Sequence, residues 1–191
     1  MIRVFILSAI VLLSIRLSAQ PNAGTSANSL AVLQQQLIQL SQSAQGRVGI
    51  AAKLLETGES ISIQGSERFP MQSVYKFPIG MAVLHQIDEG NLTLSQKIHV
   101  NKSDYISERQ HSPIRDKFPE GAHLAVAELL RYAVSESDGS ASDVLLRLAG
   151  GSRAVLRYLQ RLGIKGVRVL NTEKEIGQDN AVQYANWAQP A

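Results

Sequence analysis

Ser73 and Lys76 stand three residues apart at the start of a strongly apolar segment. If that segment is a helix, the two side chains share one face and the ammonium can approach the hydroxyl. A serine hydroxyl is a weak nucleophile until a neighbouring group takes its proton or stabilises the alkoxide, and a buried lysine can do either. Without its context, however, this spacing is more typical of a capping serine beside a surface lysine.

Two later segments contain groups that could complete such a site. Ser137 begins the tripeptide Ser-Asp-Gly between two predicted helices, where a hydroxyl could relay a proton to a leaving nitrogen. The same three residue types are common in ordinary turns. Glu173 lies in a segment without clear periodicity, and a carboxylate held above the serine could activate a water molecule. For the nearby Glu175 we prefer a solvated surface charge.

The segment before Ser73 predicts one helix followed by a β-hairpin. Residues 47–55 and 60–63 alternate between apolar and polar side chains, and turn-forming residues at 56–59 separate them. Leucines at helical spacing precede them, at Leu30, Leu33, Leu37 and Leu40. A helix followed by antiparallel strands favours an α+β domain.

The segment after Phe69 and Pro70 is predicted to be mostly helical. Residues 73–89 form a long apolar helix, which we expect to be buried. Further helices are predicted over 126–134, 142–149 and 152–162, the last with Ser152 as its N-cap. Residues 165–191 show no clear periodicity, and long irregular segments in compact domains tend to be functional.

The composition excludes several kinds of function. The 191 residues include no cysteine, which removes disulfides, thiolate nucleophiles and cysteine zinc sites. The net charge is only +3 and no run of Lys or Arg occurs, so we expect no nucleic-acid partner. The four histidines include no pair at i, i+4 spacing. We therefore expect neither a metal nor a cofactor.

The N-terminus is predicted to be a signal peptide over residues 1–19. Arg3 supplies the positive start, an apolar run from Val4 to Ile15 follows, and cleavage is expected after Ala19. We expect residues 20–29 to form a linker and residues 30–191 to form the catalytic domain. An uncleaved N-terminal anchor is the alternative. In either case the domain lies outside the cytoplasm, in the periplasm or secreted.

The segment Glu67-Arg68-Phe69-Pro70-Met71-Gln72-Ser73-Val74-Tyr75-Lys76 closely resembles the active-site segment of class A serine β-lactamases. Residues 85–90 and the pair Gly150-Gly151 match further landmarks, and residues 182–187 resemble the PER-type extended-spectrum group. The resemblance runs from about residue 47 to residue 190. It implies a serine β-lactamase/transpeptidase-like fold, an antiparallel sheet flanked by helices with a helical lobe.

The resemblance also implies a role for each candidate residue. Ser73 is the nucleophile that becomes acylated, and Lys76 is its general base or electrostatic helper. Ser137 passes a proton to the lactam nitrogen, and Glu173 activates the water that hydrolyses the acyl-enzyme. The backbone N–H of Ser73 supplies one donor of the oxyanion hole. The implied partners are penicillins and cephalosporins, bound by a monomer that has no membrane partner after signal cleavage.

The chain departs from the family pattern around the substrate and the water. Gly139 and Gly177 both stand where asparagine is usual, and His111 stands where an aromatic residue lines the mouth of the site. We expect all three positions to contact or shape the substrate site. Asn171 and Asn186 occupy the positions of a common Arg–Asp ion pair, so the loop between them must close by other contacts.

The K-T-G element of the family does not follow before residue 191. We therefore expect this sequence to be the N-terminal part of a longer enzyme, unable by itself to fold stably or turn over substrate, because it would lack sheet strands and one oxyanion donor.

Two other functions remain open at this point. A penicillin-binding DD-peptidase would share the fold, although Glu173 argues against it. A non-catalytic or truncated inactive domain would also share the fold, although the presence of Ser73, Lys76, Ser137 and Glu173 together argues against that.

Overall fold

The computed structural model describes residues 23–179 and 181–191, with side chains from Ser29 onward. The predicted signal peptide at residues 1–19 lies outside these residues. The elements in chain order are α1 (Ala23–Gln42), β1 (Ile50–Lys53), β2 (Ser60–Ile63), β3 (Phe69–Pro70), α2 (Lys76–Asp88), β4 (Lys97–Val100), α3 (Pro113–Lys117), β5 (Ala122–Ala125), α4 (Val126–Leu130), α5 (Gly139–Leu148), α6 (Ser152–Arg161), β6 (Val167–Arg168), α7 (Glu173–Ile176) and β7 (Trp187–Ala188). Single 3-10 turns cover Gln72–Tyr75, Lys102–Asp104 and Val182–Ala185.

The strands of the described residues pair in antiparallel fashion. Strands β1 and β2 form the predicted hairpin, with Ile50 opposite Ile63. Strand β7 lies between β3 and β6 in a three-stranded sheet, and β4 pairs with β5. The prediction of an α+β domain with antiparallel pairing is therefore confirmed.

Helix α1 begins at Ala23, inside the span 20–29 that is predicted to be a linker. The residues from Ala23 to Ser29 are small and polar and contain no proline. Gly, Thr, Ser and Asn are weak helix formers, so this first part of the helix depends on the leucine-bearing turns that follow it.

Helix α2 packs one face into the core, as its apolar sequence predicted, whereas its large apolar residues Phe77 and Leu84 are exposed. Ile79 and Val83 are buried and belong to the same cluster as Leu129, Leu145 and Leu159 of three other helices. Pro78 is the third residue of α2, where its missing N–H has no intrahelical acceptor to lose. The helix is therefore held from several sides, and its first turn is a rigid platform.

Three helix boundaries differ from the prediction. The helix that starts at Val126 continues past Leu130 as a π-helix over Arg131–Ser135. Helix α5 begins at Gly139 instead of residue 142, because the Asp138 carboxylate accepts the N–H of Ala141 at 2.8 Å and caps it. The N-cap of α6 is Gly151, so the prediction for Ser152 is wrong.

The irregular segment 165–191 contains only short elements. Helix α7 is capped by Thr172, whose hydroxyl accepts the N–H of Glu175 at 3.1 Å, while the Glu175 carboxylate accepts the N–H of Thr172 at 2.8 Å. Glu175 therefore completes a capping box and is not simply a solvated charge. Within the residues that the structure describes, no helix is both long and apolar enough to span a membrane.

Candidate active site

Ser73 and Lys76 meet as their spacing predicted. Ser73 lies in the 3-10 turn before α2 and Lys76 is the first residue of α2. Lys76 Nζ lies 3.1 Å from Ser73 Oγ. The lysine is 3% exposed whereas Ser73 is exposed, so a buried cation lies behind an accessible hydroxyl. This arrangement can favour the alkoxide that forms when the serine loses its proton.

Ser137 completes a three-membered contact with this pair. Its hydroxyl donates to Ser73 Oγ at 2.8 Å, and Lys76 Nζ donates to its carbonyl oxygen at 2.8 Å. Ser137 has a φ of +57°, in the left-handed region, just after the π-helix ends at Ser135. Asp138 then fixes the turn, because its carboxylate accepts the N–H of Ile114 at 2.7 Å. The strained backbone thus aims the Ser137 hydroxyl at Ser73.

Glu173 reaches the same cluster from the other side. Its Oε1 lies 3.0 Å from Lys76 Nζ, and its Oε2 accepts a hydrogen bond from the Tyr75 hydroxyl at 2.7 Å. The Glu173 side chain is 16% exposed. Both carboxylate oxygens therefore have a fixed partner, which holds the group in one orientation beside the nucleophile.

Helix α7, which carries Glu173, is anchored by Asp143 of α5. The Asp143 carboxylate accepts the N–H of Glu173 at 2.7 Å and the N–H of Lys174 at 3.0 Å. Burial is the main cause that raises the pKa of Asp143 to about 6, against the lowering effect of these two N–H groups. Burial, with the Glu173 carboxylate next in effect, raises the pKa of Tyr75 far above its ordinary value, so its phenol remains a donor.

A small polar cavity lies between the nucleophile and this carboxylate. Its volume is about 30 Å³, and its lining includes Ser73, Glu173, Tyr75, Gln183 and Asn186. A polar cavity of this size can hold one water molecule. The site thus offers a hydroxyl, a cation, a carboxylate and a place for water within one cluster.

Two asparagines close the base of the loop that carries Glu173. The Asn186 Oδ1 accepts the N–H groups of Leu170 at 2.8 Å and of Asn171 at 2.9 Å, and its Nδ2 donates to the Asn171 carbonyl at 2.9 Å. The Asn171 side chain donates to the Val182 carbonyl at 3.1 Å. Asn186 is 1% exposed. Neutral amides therefore bridge the loop where the sequence lacks an ion pair.

The two glycines that depart from the family pattern lie against side chains of this site. A Cβ on Gly139 would lie 2.5 Å from Glu173 Cγ and would also overlap the Ile106 side chain. A Cβ on Gly177 would overlap the side-chain amide of Gln110. Each glycine therefore leaves room for a neighbour, and neither has a positive φ that would demand glycine.

His111 lies at the exposed edge of the site. Its ring Nε2 is 2.9 Å from the Glu136 carbonyl oxygen, and its own carbonyl accepts the N–H of Gly139 at 3.0 Å. The ring is thus tied to the turn that presents Ser137, and a substrate contact at His111 stays a prediction. Among the described residues, no group of three or more His, Cys, Asp or Glu is placed to hold a metal ion.

Sequence reasoning missed four polar residues that support the cluster: Tyr75, Gln110, Asp143 and Asn186. Tyr75 lies inside the motif that was noticed, but its contact with Glu173 joins residues 98 positions apart. For Asn186 the sequence shows only that an uncharged residue stands where an aspartate is common. For Gln110 and Asp143 no local pattern distinguishes a side chain that supports a distant backbone from an ordinary polar residue.

Comparison with known proteins agrees with this geometry. Residues 32–190 match the family described as the beta-lactamase enzyme family. The chain is 39% identical to Beta-lactamase VEB-1 of Pseudomonas aeruginosa over 75% of its length and 48% of that protein. It is 37% identical to the Extended-spectrum beta-lactamase PER-1 of the same organism, over 85% of its length and 53% of that protein. The chain thus spans about half the length of these relatives.

Solved structures lead to the same family. The crystal structure of a beta-lactamase from Chitinophaga pinensis superposes with a TM-score of 0.78 at 40% identity, covering 82% of this chain and 57% of that one. The TLA-1 extended-spectrum beta-lactamase gives a TM-score of 0.80 at 32% identity, covering 84% and 58%. The chain belongs to the beta-lactamase enzyme family and has the class A fold, close to PER-1 and VEB-1.

Proposed function

We propose that the protein hydrolyses β-lactam antibiotics through an acyl-enzyme on Ser73 and thereby confers resistance to them. The family match and the two relatives named as beta-lactamases, VEB-1 and PER-1, support this activity. The substrates are penicillins and cephalosporins. The similarity to PER-1, an extended-spectrum beta-lactamase, supports including the larger cephalosporins.

In the acylation step, Ser73 Oγ attacks the lactam carbonyl carbon, and its proton passes to Lys76 Nζ at 3.1 Å as that ammonium gives one of its own protons to Ser137. The backbone N–H of Ser73 supports the developing oxyanion. The carbon–nitrogen bond of the ring then breaks, and the ring nitrogen takes a proton from the Ser137 hydroxyl. Ser137 recovers that proton from Lys76 Nζ, which lies 3.3 Å from its Oγ. These short contacts support a proton relay at whose end Lys76 and Ser137 have regained their original protonation states.

The observation that carries a hydrolase, rather than a protein trapped by the antibiotic, is the cavity of about 30 Å³ between Ser73 and Glu173. A water held there lies between the ester carbon of the acyl-enzyme and the Glu173 carboxylate. Glu173 takes one proton of that water as the oxygen attacks the ester carbon. Ser73 leaves with a proton from Lys76 Nζ, and Glu173 returns its proton to Lys76 across 3.0 Å. The fixed orientation of the carboxylate supports this role.

We also propose that the protein is exported and acts as a monomer in the periplasm or outside the cell. The charged start, short apolar run and small residues of positions 1–19 support a signal peptide cleaved after Ala19. The N-terminal residue of the secreted protein, determined by intact mass, tests this part directly.

The activity is tested in the full-length protein with two isosteric changes. Ser73→Ala should abolish acylation by a penicillin, so no adduct mass appears. Glu173→Gln should still acylate but accumulate the adduct, because its amide cannot take the proton of the water. Glu175→Gln, two residues away on α7, is the matched control and keeps the capping box. A wild-type protein that forms a long-lived adduct would instead be a penicillin-binding peptidase.

A further inference from the structure

Gln110 links the loop before α3 to helix α7. Its side-chain Nε2 donates to the backbone carbonyl of Glu173 at 2.5 Å, and its Oε1 accepts the Ser107 hydroxyl at 3.0 Å. The Glu173 carbonyl also accepts the N–H of Gly177 at 3.0 Å within α7. The backbone carbonyl of Glu173 therefore accepts two hydrogen bonds, one from Gly177 within the helix and one from the side chain of Gln110.

The loop that carries Gln110 is itself held in place. The Arg115 guanidinium donates to the carbonyl of Ser107 at 2.6 Å and to the carbonyl of Gln110 at 3.2 Å. The N–H of Gln110 donates to the Ser107 carbonyl at 3.0 Å. These bonds fix the backbone of residue 110, and the two hydrogen bonds of its side-chain amide hold that amide against α7.

Gly177 provides the space that this support needs. A Cβ at position 177 would overlap the Gln110 amide, with Nε2 only 2.7 Å away. The backbone of Gly177 is ordinary right-handed helix, at φ −68° and ψ −15°, so alanine fits its conformation. The amide is the end of a flexible side chain and would move aside. The glycine is thus required by Gln110 and by nothing in the backbone.

We propose that Gln110 is a positioning residue for Glu173, and that Gly177 serves to admit its side-chain amide. This inference rests on the proposed function, in which Glu173 activates the deacylating water. Asp143 holds α7 by its N–H groups and Gln110 holds it by a carbonyl. The two together fix the first turn of α7 along its axis, so that the Glu173 carboxylate stays beside the cavity next to Ser73.

The test separates deacylation from acylation in the full-length protein. Gln110→Met keeps the length of the side chain but removes both the donor to the Glu173 carbonyl and the acceptor of the Ser107 hydroxyl. We expect its deacylation rate with a penicillin to fall about tenfold, while acylation changes less than about twofold, since one hydrogen bond is lost on the deacylating side only. Glu108→Met places the same side chain on an exposed part of the loop and should leave both rates unchanged.

Gly177→Ala provides a second and independent variant, and alanine favours folding at a right-handed position. It should slow deacylation as Gln110→Ala does, because the new Cβ displaces the amide. The double variant, Gln110→Ala with Gly177→Ala, should deacylate within about twofold of the rate of Gln110→Ala alone, because both changes remove the same contact. Faster hydrogen exchange of the amides of α7 in each variant would show the loosening without any substrate.

Several outcomes overturn the proposal. The proposal fails if Gln110→Met deacylates at the wild-type rate, or if it slows acylation and deacylation equally. It also fails if the slowing in the double variant equals the product of the two single effects. These three outcomes can be observed only if the wild-type protein hydrolyses the penicillin, so they leave the proposed function intact. A wild-type protein that is never acylated at Ser73 refutes the proposed function itself and the role of Gln110 with it.

Discussion

The Tyr75 hydroxyl donates a 2.7 Å hydrogen bond to Oε2 of Glu173, across a sequence distance of 98 residues. Tyr75 is buried in the turn before α2, two residues after the nucleophile. The nucleophile segment therefore contacts Glu173 twice, through the ammonium of Lys76 and through this phenol. A residue of the motif that has no part in the proposed acylation step thus orients the carboxylate that we propose activates the deacylating water.

The first prediction concerns Tyr75→Phe, which removes only the donor. We expect deacylation to slow about fivefold to tenfold, because the carboxylate loses one of its two fixed partners, while acylation changes little. Tyr184→Phe is the matched control, because Tyr184 lies in the 3-10 turn Val182–Ala185 and its side chain is 63% exposed. The measurement is single-turnover kinetics with a chromogenic cephalosporin. Equal rates in wild type and Tyr75→Phe would refute the role of the phenol.

The second prediction uses the pKa of Asp143, which is raised from 3.8 to about 6. Between these values the folded protein binds more protons than the unfolded chain, so stability falls as the pH rises from about 4 to about 6. Asp143→Asn removes this titration. The stability of wild type relative to the variant should therefore fall by roughly 2 kcal/mol from pH 4 to pH 7.

Urea unfolding at several pH values measures this difference. A constant offset is expected as well, because one N–H of α7 will face the amide NH₂ of the asparagine. Asp88→Asn, at the exposed end of α2, is the control and should show no comparable slope. A flat difference for Asp143→Asn would contradict the raised pKa.

The third prediction concerns Asn186→Ala. The change removes the partners of two backbone N–H groups and one carbonyl at a position that is 1% exposed. We expect the free energy of unfolding to fall by about 2–4 kcal/mol, because buried polar groups are left unsatisfied. Asn91→Ala, which removes an exposed amide, should cost far less. Comparable losses in the two variants would show that the Asn186 contacts do not hold the loop.

The fourth prediction concerns Gly139→Ala. The added Cβ meets Glu173 Cγ at 2.5 Å, so the carboxylate must leave its place or α5 must shift. We expect deacylation to fall by about 10²-fold and stability by about 1–3 kcal/mol. Gly46→Ala, where nothing lies within 4 Å of the new carbon, is the control. Wild-type turnover in Gly139→Ala would show that the Glu173 side chain can move away from the added Cβ without losing its function.

The sequence predicted what local patterns encode. The hairpin, the apolar helix α2 and the contact of Ser73 with Lys76 depend on residues close in the chain, and periodicity indicated them. The start of α5 was placed too late because Asp138 is both a turn residue and an N-cap, and only its bonds to Ile114 and Ala141 distinguish the two.

The position of Glu173 could be inferred only from resemblance. The residues that hold it come from the turn before α2, the loop before α3 and helix α5. Each of these contacts spans at least 30 residues, and no sequence period connects such partners. Tertiary packing decides them, which is why Tyr75, Gln110 and Asp143 were overlooked.

The amide bridge between Asn186 and Asn171 has a consequence for how the loop responds to its surroundings. Neither side chain carries charge, so added salt has no ion pair to screen at the base of the loop. Neither side chain titrates, so acid cannot open the base by neutralising a partner. The loop is thus closed at its base by contacts indifferent to ionic strength and pH, whereas the carboxylates that hold it, those of Glu173, Glu175 and Asp143, lie at its other end.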